Sequence, residues 1–368
     1  MGLGGSAHTH RVNIVQATQA YEEWMGRHLT IVRPDLAFKH EYMAESPFVF
    51  LRGTFYRWCQ LWPTVCHALI DAPIVPSVGD LHVENFGTWR DLEGRLVWGV
   101  NDVDEACRLP YTNDLVRLAT SATLATRHGR LDRTARELCD AILDGYTAMI
   151  DLQGRAFVLA ERRRWLRRLA LNRLRDPIVF WPKFDLLPTA KGDIPHTVLR
   201  KALPNPRLPY RVVRRVAGVG SLGRQRLVAL AEWQHGHIAR EAKSWLPSAA
   251  IWATGRQSIG LAQAALLAQA VRVPDPMFEV HERWIVRRLA PDCSRIELAE
   301  LPTVRDEERL LRAMGGETAN FHVTHARAAI RTDLKKRRRR WLEDAAGDMA
   351  DILEKEWRRW AKHVRSTR

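Results

Sequence analysis

The chain has 368 residues, of which 46% are apolar and 27% are charged, a composition that excludes fibrous and low-complexity proteins. Its five scattered cysteines exclude a disulfide framework, and because no segment is typical of a signal peptide or membrane span, we expect a cytoplasmic protein. The formal charge of +15 favours an anionic partner: nucleotide phosphates, nucleic acid or an acidic membrane surface.

The first predicted elements are a helix across Ala17 to Leu29 and an aromatic helix that begins near Tyr56. Between them lies the dipeptide Arg52-Gly53. A guanidinium beside a glycine could bind phosphate where the backbone approaches closely, or it could bridge two elements of the fold. Both interpretations of Arg52 stay open at this point.

Two acidic motifs surround a predicted hairpin between residues 78 and 105. Residues 78–87 read VGDLHVENFG and residues 100–105 read VNDVDE, while residues 91–94 (DLEG) are typical of a hairpin turn. Phosphoryl transfer needs one carboxylate to orient the acceptor hydroxyl, and an Asn and an Asp to hold metal ions on the phosphates. We therefore predict Asp80 as the base, Asn85 and Asp102 as metal ligands, and Asp104 as a ligand of a second metal. His82 is expected to orient the loop by hydrogen bonding.

These motifs resemble the catalytic loop and metal motif of aminoglycoside phosphotransferases and other protein-kinase-like enzymes. The whole chain resembles the bacterial proteins grouped as domain of unknown function 2252. The resemblance implies binding of ATP and Mg²⁺. It also implies that the helix after residue 111, with Asp114 at its N-cap or beneath the catalytic loop, supports that loop. Further helices are predicted over 134–150 and 155–174, followed by a Pro-rich connection.

A glycine-rich motif follows, with the spacing Gly-x-Gly-x-x-Gly at Gly218, Gly220 and Gly223 and with Ser221 inside it. Glycines let backbone amides approach phosphates closely. A dinucleotide-binding fold requires a helix directly after the third glycine, whereas residues 224–230 alternate as a strand does. The motif therefore favours the phosphate-covering hairpin of a kinase.

A phosphate-binding cation is expected on the third strand, and Lys243 and Arg240 are both candidates. Kinases pair this cation with a Glu, but residues 244–278 contain none. The partner is therefore absent, comes from elsewhere, or is an amide such as Gln257 or Gln263. Glu105 is expected to cap or pair locally.

The remaining motifs complete a kinase in an unusual order. Residues 282–289 predict a strand leading to an adenine-binding hinge, and residues 310–322 predict a helix ending at His322, which resembles the Ala-x-x-His helix that precedes the kinase catalytic loop. Because this helix lies after the loop in sequence, we predict a circular permutation.

The predicted fold class is α+β: a permuted, bilobal, protein-kinase-like fold with a mainly helical large lobe and a smaller antiparallel-sheet lobe. The expected divisions are the catalytic-loop half of the large lobe (1–175), the connection (176–209), the nucleotide-binding small lobe (210–300) and helices that complete the large lobe (301–368).

Three functions remain open at the level of sequence. The first is an ATP- and Mg²⁺-dependent phosphotransferase acting on an unidentified, small hydroxyl-bearing acceptor. The second is catalytically silent nucleotide binding or nucleotidyl transfer, which the missing Glu motivates. The third is nucleic-acid binding through the basic runs 162–168 and 335–340, although a solvated helix face is the commoner explanation of such runs.

Overall fold

The computed structural model describes residues 12–129, 131, 133–160, 162–255, 262–281, 283–296 and 304–367. The protein is a mixed α and β structure, 53% helical, with several small antiparallel sheets. None of the described helices is both long enough and apolar enough to cross a bilayer.

The first half of the described chain is mainly helical and contains three short strand pairs. Its elements are α1 (Ile14–His28), α2 (Arg33–Glu45), α3 (Pro47–Gly53), α4 (Phe55–Val65), β1 (Ile74–Ser77), β2 (Phe86–Arg90), β3 (Leu96–Val100), β4 (Cys107–Pro110), α5 (Tyr111–Arg127), α6 (Ala135–Asp151), β5 (Phe157–Val158) and α7 (Arg164–Asn172). Strand β1 pairs with β4, and β3 pairs with both β2 and β5. The predicted turn at residues 91–94 joins β2 to β3, so the hairpin is confirmed.

The second half contains a larger sheet between helices. Its elements are α8 (Pro177–Phe180), α9 (His196–Ala202), β6 (Arg211–Arg214), β7 (Arg226–Trp233), β8 (Gly236–Ser244), α10 (Ala249–Thr254), α11 (Ala262–Gln269), β9 (Glu279–Val280), β10 (Trp284–Leu289), α12 (Val304–Lys336) and α13 (Trp341–Ser366). The five strands are antiparallel in the order β6-β7-β8-β10-β9. The glycine motif lies between β6 and β7, so the predicted strand–turn–strand is confirmed.

Helices from distant parts of the sequence form one core. Helix α12 packs along α6, where a Cβ added to Gly145 would lie 1.8 Å from the carbonyl oxygen of Arg312, and one added to Gly315 would lie 2.1 Å from that of Ile142. The glycines therefore let the two helix backbones touch. Helix α13 packs on α5 and α2 and buries Leu353, as the amphipathic pattern of the C-terminal segment predicts.

Residues 176–209, the Pro-rich connection, contain short helices that pack against the five-stranded sheet. Phe180 and Phe184 are buried with Val213 and Val228 on the sheet, while Leu199 of α9 is buried with Val212. The segment thus contributes apolar side chains to the core.

Three local predictions are wrong. The helix expected over 155–174 is confined to α7, because Phe157–Val158 pairs with β3. The helix expected to end at His322 runs on to a kink at Ala326, and a second helical segment continues from there to Lys336. Asp114 is not an N-cap, since α5 begins at Tyr111 and Asp114 lies inside its first turn.

Candidate functional site

One cavity collects most of the predicted site residues. Its lining includes five of the predicted groups that precede residue 106 and three from the glycine turn: Arg52, Asp80, Asn85, Asp102, Asp104, Gly218, Gly220 and Ser221. The open volume is about 50 Å³, which is space for water or ions. Gly223, Arg240 and Lys243 are not among the lining residues.

The loop that carries Asp80 is fixed from below by the first turn of α5. The buried carboxylate of Asp114 accepts hydrogen bonds from the backbone amides of Val78 at 2.7 Å and Gly79 at 3.0 Å. His322 of α12 contacts the same carboxylate at 3.1 Å. Gly79 has φ +83°, and a Cβ there would lie 2.3 Å from the carbonyl oxygen of Glu105. Only glycine fits this position, which brings the two acidic motifs together.

Asp80 is paired with a fully buried arginine. The Nε of Arg117, on α5, donates to Oδ1 of Asp80 at 2.9 Å, and its Nη2 donates to the same oxygen. The guanidinium lies between the rings of Phe55 and Trp58, 4.8 and 4.9 Å from their centroids. Burial raises the pKa of Asp80, and Arg117 opposes that rise. This pairing holds the Asp80 carboxylate in one orientation, which suits a group that positions an acceptor hydroxyl.

Asn85 joins the two acidic motifs. Its side-chain nitrogen donates to the carbonyl oxygens of Asp80 and Asp102, and its side-chain oxygen accepts from the amide of Asp102 at 2.8 Å. The amide group therefore holds both motifs in register, while its oxygen retains a second lone pair. His82 accepts a hydrogen bond from the amide of Glu84 at 3.2 Å, as predicted for a group that orients the loop.

Lys243 lies between two carboxylates. Its Nζ is 3.4 Å from both carboxylate oxygens of Asp102, and it also contacts Asp104. Burial opposes ionisation of Asp102, but Lys243 and Arg287 hold its pKa well below the usual range. Burial and the charge of Asp102 raise the pKa of Asp104 to about 6. The expected Glu partner of the cation is thus replaced by two aspartates.

Arg240, the other candidate cation, does not face the site. It is three residues from Lys243 on β8 and therefore faces the opposite side of the strand, where it donates to the carbonyl oxygen of Ala202 at 2.8 Å. Of the two amides proposed as partners, Gln257 lies outside the described residues, as does the side chain of Gln263.

The glycine turn closes over Asp80. A Cβ on Gly220 would lie 3.4 Å from Oδ2 of Asp80 and 3.1 Å from the carbonyl oxygen of Arg52. Ser221 directs its hydroxyl toward the turn itself, where it hydrogen-bonds to the carbonyl oxygen of Gly218 and accepts from Arg226. Gly223 packs against Leu36 with φ +92°. It shapes the turn without lining the cavity.

The position of Arg52 is compatible with phosphate binding and with a bridge between two elements of the fold. It lines the cavity, and its Nη1 forms an ion pair with Glu84. Glu105 was expected to pair locally, but it accepts from the amide of Ala249 at 2.6 Å and pairs with Arg224. This carboxylate therefore ties the acidic motif to α10 and to the end of the glycine turn.

Three cations that line the cavity were not predicted from the sequence: Lys39, Arg224 and Arg295. Lys39 comes from α2 and approaches the carbonyl oxygen of Gly220 at 3.4 Å. Burial lowers its pKa to about 8. Burial, followed by the charge of Arg52, lowers the pKa of Arg295 to about 10. Lys39 lies 181 residues before Gly220, and no local pattern connects them.

A fully buried carboxylate supports the sheet beside the site. Glu241 of β8 forms ion pairs with Arg215, Arg226 and Arg287, and these charges hold its pKa well below the usual range although burial opposes this. Alternation along β8 places Glu241 on the same face as Lys243, so the sequence could have grouped these two residues, although it could not say which face points inward.

Residues 32–174 match a protein family described as "Uncharacterized protein conserved in bacteria (DUF2252)". The matched region includes both acidic motifs and α5 but ends before the five-stranded sheet. No curated protein matches the chain, and neither does any solved structure.

The basic runs lie at the protein surface. In α7 the side chains of Arg164, Arg167 and Arg168 are exposed, and the end of α12 is similarly open at Lys335. Most of the side chains in these two runs are therefore exposed to solvent.

Proposed function

We propose that the protein is an ATP- and Mg²⁺-dependent phosphotransferase that acts on a small hydroxyl-bearing acceptor. The observation that supports this most is a single cavity lined by Asp80, Asp102 and Asp104 on one side and by the glycine turn on the other. Lys243, on the third strand of the sheet, contacts two of these carboxylates. Kinase-type phosphoryl transfer requires these groups together.

The donor set fits magnesium. Among the described residues no group of three or more His, Cys, Asp or Glu side chains forms a metal cluster, but Mg²⁺ in nucleotide sites characteristically uses one or two carboxylates and completes its shell with phosphate oxygens and water. Asp102, Asp104 and the side-chain oxygen of Asn85 would hold it. When bound, the ion would neutralise charge on the phosphates.

The other residues have separable roles in the proposed reaction. Oδ1 of Asp80 is occupied by Arg117, so Oδ2, which faces Gly220, would orient the acceptor hydroxyl. Lys243 would balance the negative charge of the phosphates, and Lys39 and Arg52 add positive charge on the opposite wall. Because the open volume is about 50 Å³, the glycine turn has to move outward from Asp80 to admit a triphosphate.

The test is Asp102→Asn, with Asp140→Asn as the matched control on the exposed face of α6. We expect Asp102→Asn to lower Mg²⁺-dependent ATP turnover at least 100-fold and to remove the magnesium dependence of ATP binding, in a protein that still folds. ATP labelled at the γ or the α position distinguishes phosphoryl from nucleotidyl transfer. Wild-type turnover in Asp102→Asn would refute the proposal.

A further inference from the structure

A second cavity, of about 330 Å³, adjoins the first. Gly218 and Arg295 line both. The larger cavity lies between the glycine turn, the end of β10 with the segment that follows it, and Trp89 of β2. The strand at residues 282–289, which borders this cavity, was predicted to lead to an adenine-binding hinge.

The lining of this cavity is strongly basic. Six arginines contribute to it, from the segment after α7, from the strand end before the glycine turn, and from β10 with the segment that follows: Arg173, Arg175, Arg215, Arg287, Arg288 and Arg295. Among the described lining residues Asp275 is the one carboxylate. An uncharged adenine base would leave the charge of these arginines unbalanced, whereas a multiply charged anion would balance it.

Part of this positive charge is unbalanced. The buried carboxylate of Glu241 pairs with Arg215 and Arg287. In contrast, Arg288 and Arg295 form no ion pair with any described carboxylate, and Nε and Nη2 of Arg288 are buried without a hydrogen-bond partner in the described structure. Buried donors without partners are costly, and a ligand with several acceptor oxygens would satisfy them.

An adjacent third cavity, of about 260 Å³, has the opposite character. Val100, Val103, Leu267 and Phe278 line it. The third cavity is thus more apolar, although Arg272, Asp275 and Arg287 also line it. The arginine-lined cavity shares Gly218 and Arg295 with the cavity that holds the carboxylates.

We propose that the arginine-lined cavity binds a chain of linked phosphate groups next to the reaction centre. This deepens the proposed function, on which it rests only for the identity of the phosphate donor. Two sources share the required chemistry: the triphosphate of the nucleotide itself, and a separate acceptor that already carries phosphates. In both cases the ligand is recognised by Arg288 and Arg295.

Calorimetric titration with tripolyphosphate, without magnesium and at 150 mM salt, tests this proposal. We expect Arg288→Gln/Arg295→Gln to weaken binding at least tenfold. The matched control, Arg167→Gln/Arg168→Gln, removes two exposed charges from α7 and should bind within twofold of wild type. If the first double variant melts much earlier than wild type, Arg288→Lys and Arg288→Gln replace it, and only the lysine variant should retain binding.

Competition identifies the source of the phosphates. Displacement of tripolyphosphate by ATP assigns the cavity to the nucleotide, and simultaneous binding assigns it to a second phosphorylated molecule. Displacement by adenosine would overturn the proposal, since adenosine carries no phosphate. Equal losses in both double variants, or no binding to wild type, would also overturn it. Asp102→Asn should retain tripolyphosphate binding even though it loses turnover, which separates this test from that of the proposed function.

Discussion

The ammonium group of Lys243 lies 3.4 Å from both carboxylate oxygens of Asp102, a residue 141 positions earlier in the chain. The side chain of Lys243 is 3% exposed, whereas that of Asp102 is 35% exposed. The lysine is thus fixed in the interior while one face of the carboxylate stays open to the cavity. A cation and a phosphate could therefore approach Asp102 without displacing Lys243 from the sheet.

Removal of this lysine charge should slow catalysis and make the stability of the fold more sensitive to magnesium. In Lys243→Met, Asp102 and Asp104 lose the cation between them, so we expect at least 100-fold slower ATP turnover and a lower melting temperature. Magnesium should raise that melting temperature more than it raises the wild-type value, because ligand binding stabilises the folded state. Lys201→Met, on the exposed side of α9, is the control. An identical magnesium response in Lys243→Met and wild type would contradict the assignment.

A methyl group at Gly220 should obstruct the cavity without unfolding the protein. The added Cβ would lie 3.4 Å from Oδ2 of Asp80 and 3.1 Å from a carbonyl oxygen, so the turn must retreat by a few tenths of an ångström. We expect Gly220→Ala to weaken ATP binding about tenfold, which is about 1.4 kcal/mol, as measured by calorimetry. Gly347→Ala has open space around its Cβ and should leave binding unchanged. Undiminished ATP affinity in Gly220→Ala would mean that the nucleotide lies elsewhere.

The Arg117–Asp80 pair should be strongly coupled. Arg117→Met leaves the Asp80 carboxylate without its partner, which typically costs about 3–5 kcal/mol for a buried pair. The double variant Arg117→Met/Asp80→Asn should be more stable than the sum of the two single changes predicts. Urea denaturation should give a coupling free energy of about 1–3 kcal/mol. Arg127→Met removes a more exposed arginine from the same helix and should cost about 1 kcal/mol or less. Simple additivity of the two single changes would argue against the pairing.

A buried glutamate should make stability fall as the pH rises from about 4.5 to about 7. Burial raises the pKa of Glu317, on α12, from 4.5 to about 7, although Arg272 opposes this. The fold therefore disfavours the ionised form: its stability is complete below about pH 4 and declines as the pH rises through 7. The loss is on the order of 3 kcal/mol.

Glu317→Gln should flatten this part of the pH profile of the free energy of unfolding. Glu308→Gln changes an exposed residue of the same helix and should reproduce the wild-type profile. Parallel wild-type and Glu317→Gln profiles between pH 4 and 8 would show that Glu317 does not titrate in this range.

The chemistry-bearing residues could be predicted from sequence because their types and spacing are local. Asp80 and Asn85 precede one hairpin and Asp102 follows it, and the alternation in β8 restricts the cation to one of two residues. The choice between Lys243 and Arg240 needed the register of the sheet, since period-two alternation does not say which face is inward.

The rest depended on long-range packing that no local pattern records. Lys39 reaches the glycine turn from α2, and Arg117 reaches Asp80 from α5, although each resembles an ordinary helix-face cation in the sequence. The extension of α12 beyond His322 was missed because the resemblance to the Ala-x-x-His helix suggested an end at this residue. The sequence itself has no glycine or proline between residues 323 and 336. The arginine-lined cavity was missed because its arginines come from three separate segments of the sequence.

The packing of α13 against α5 has a consequence for biosynthesis. A ribosome makes Asp80, Asp102 and the helix beneath them long before it makes residues 341–366, which cover that helix. The apolar part of the α5 surface that α13 covers therefore stays exposed while more than half of the polypeptide is still being translated. Maturation of the protein should depend on chaperones that shield nascent chains, and should be limited by contacts of high sequence separation rather than by helix formation.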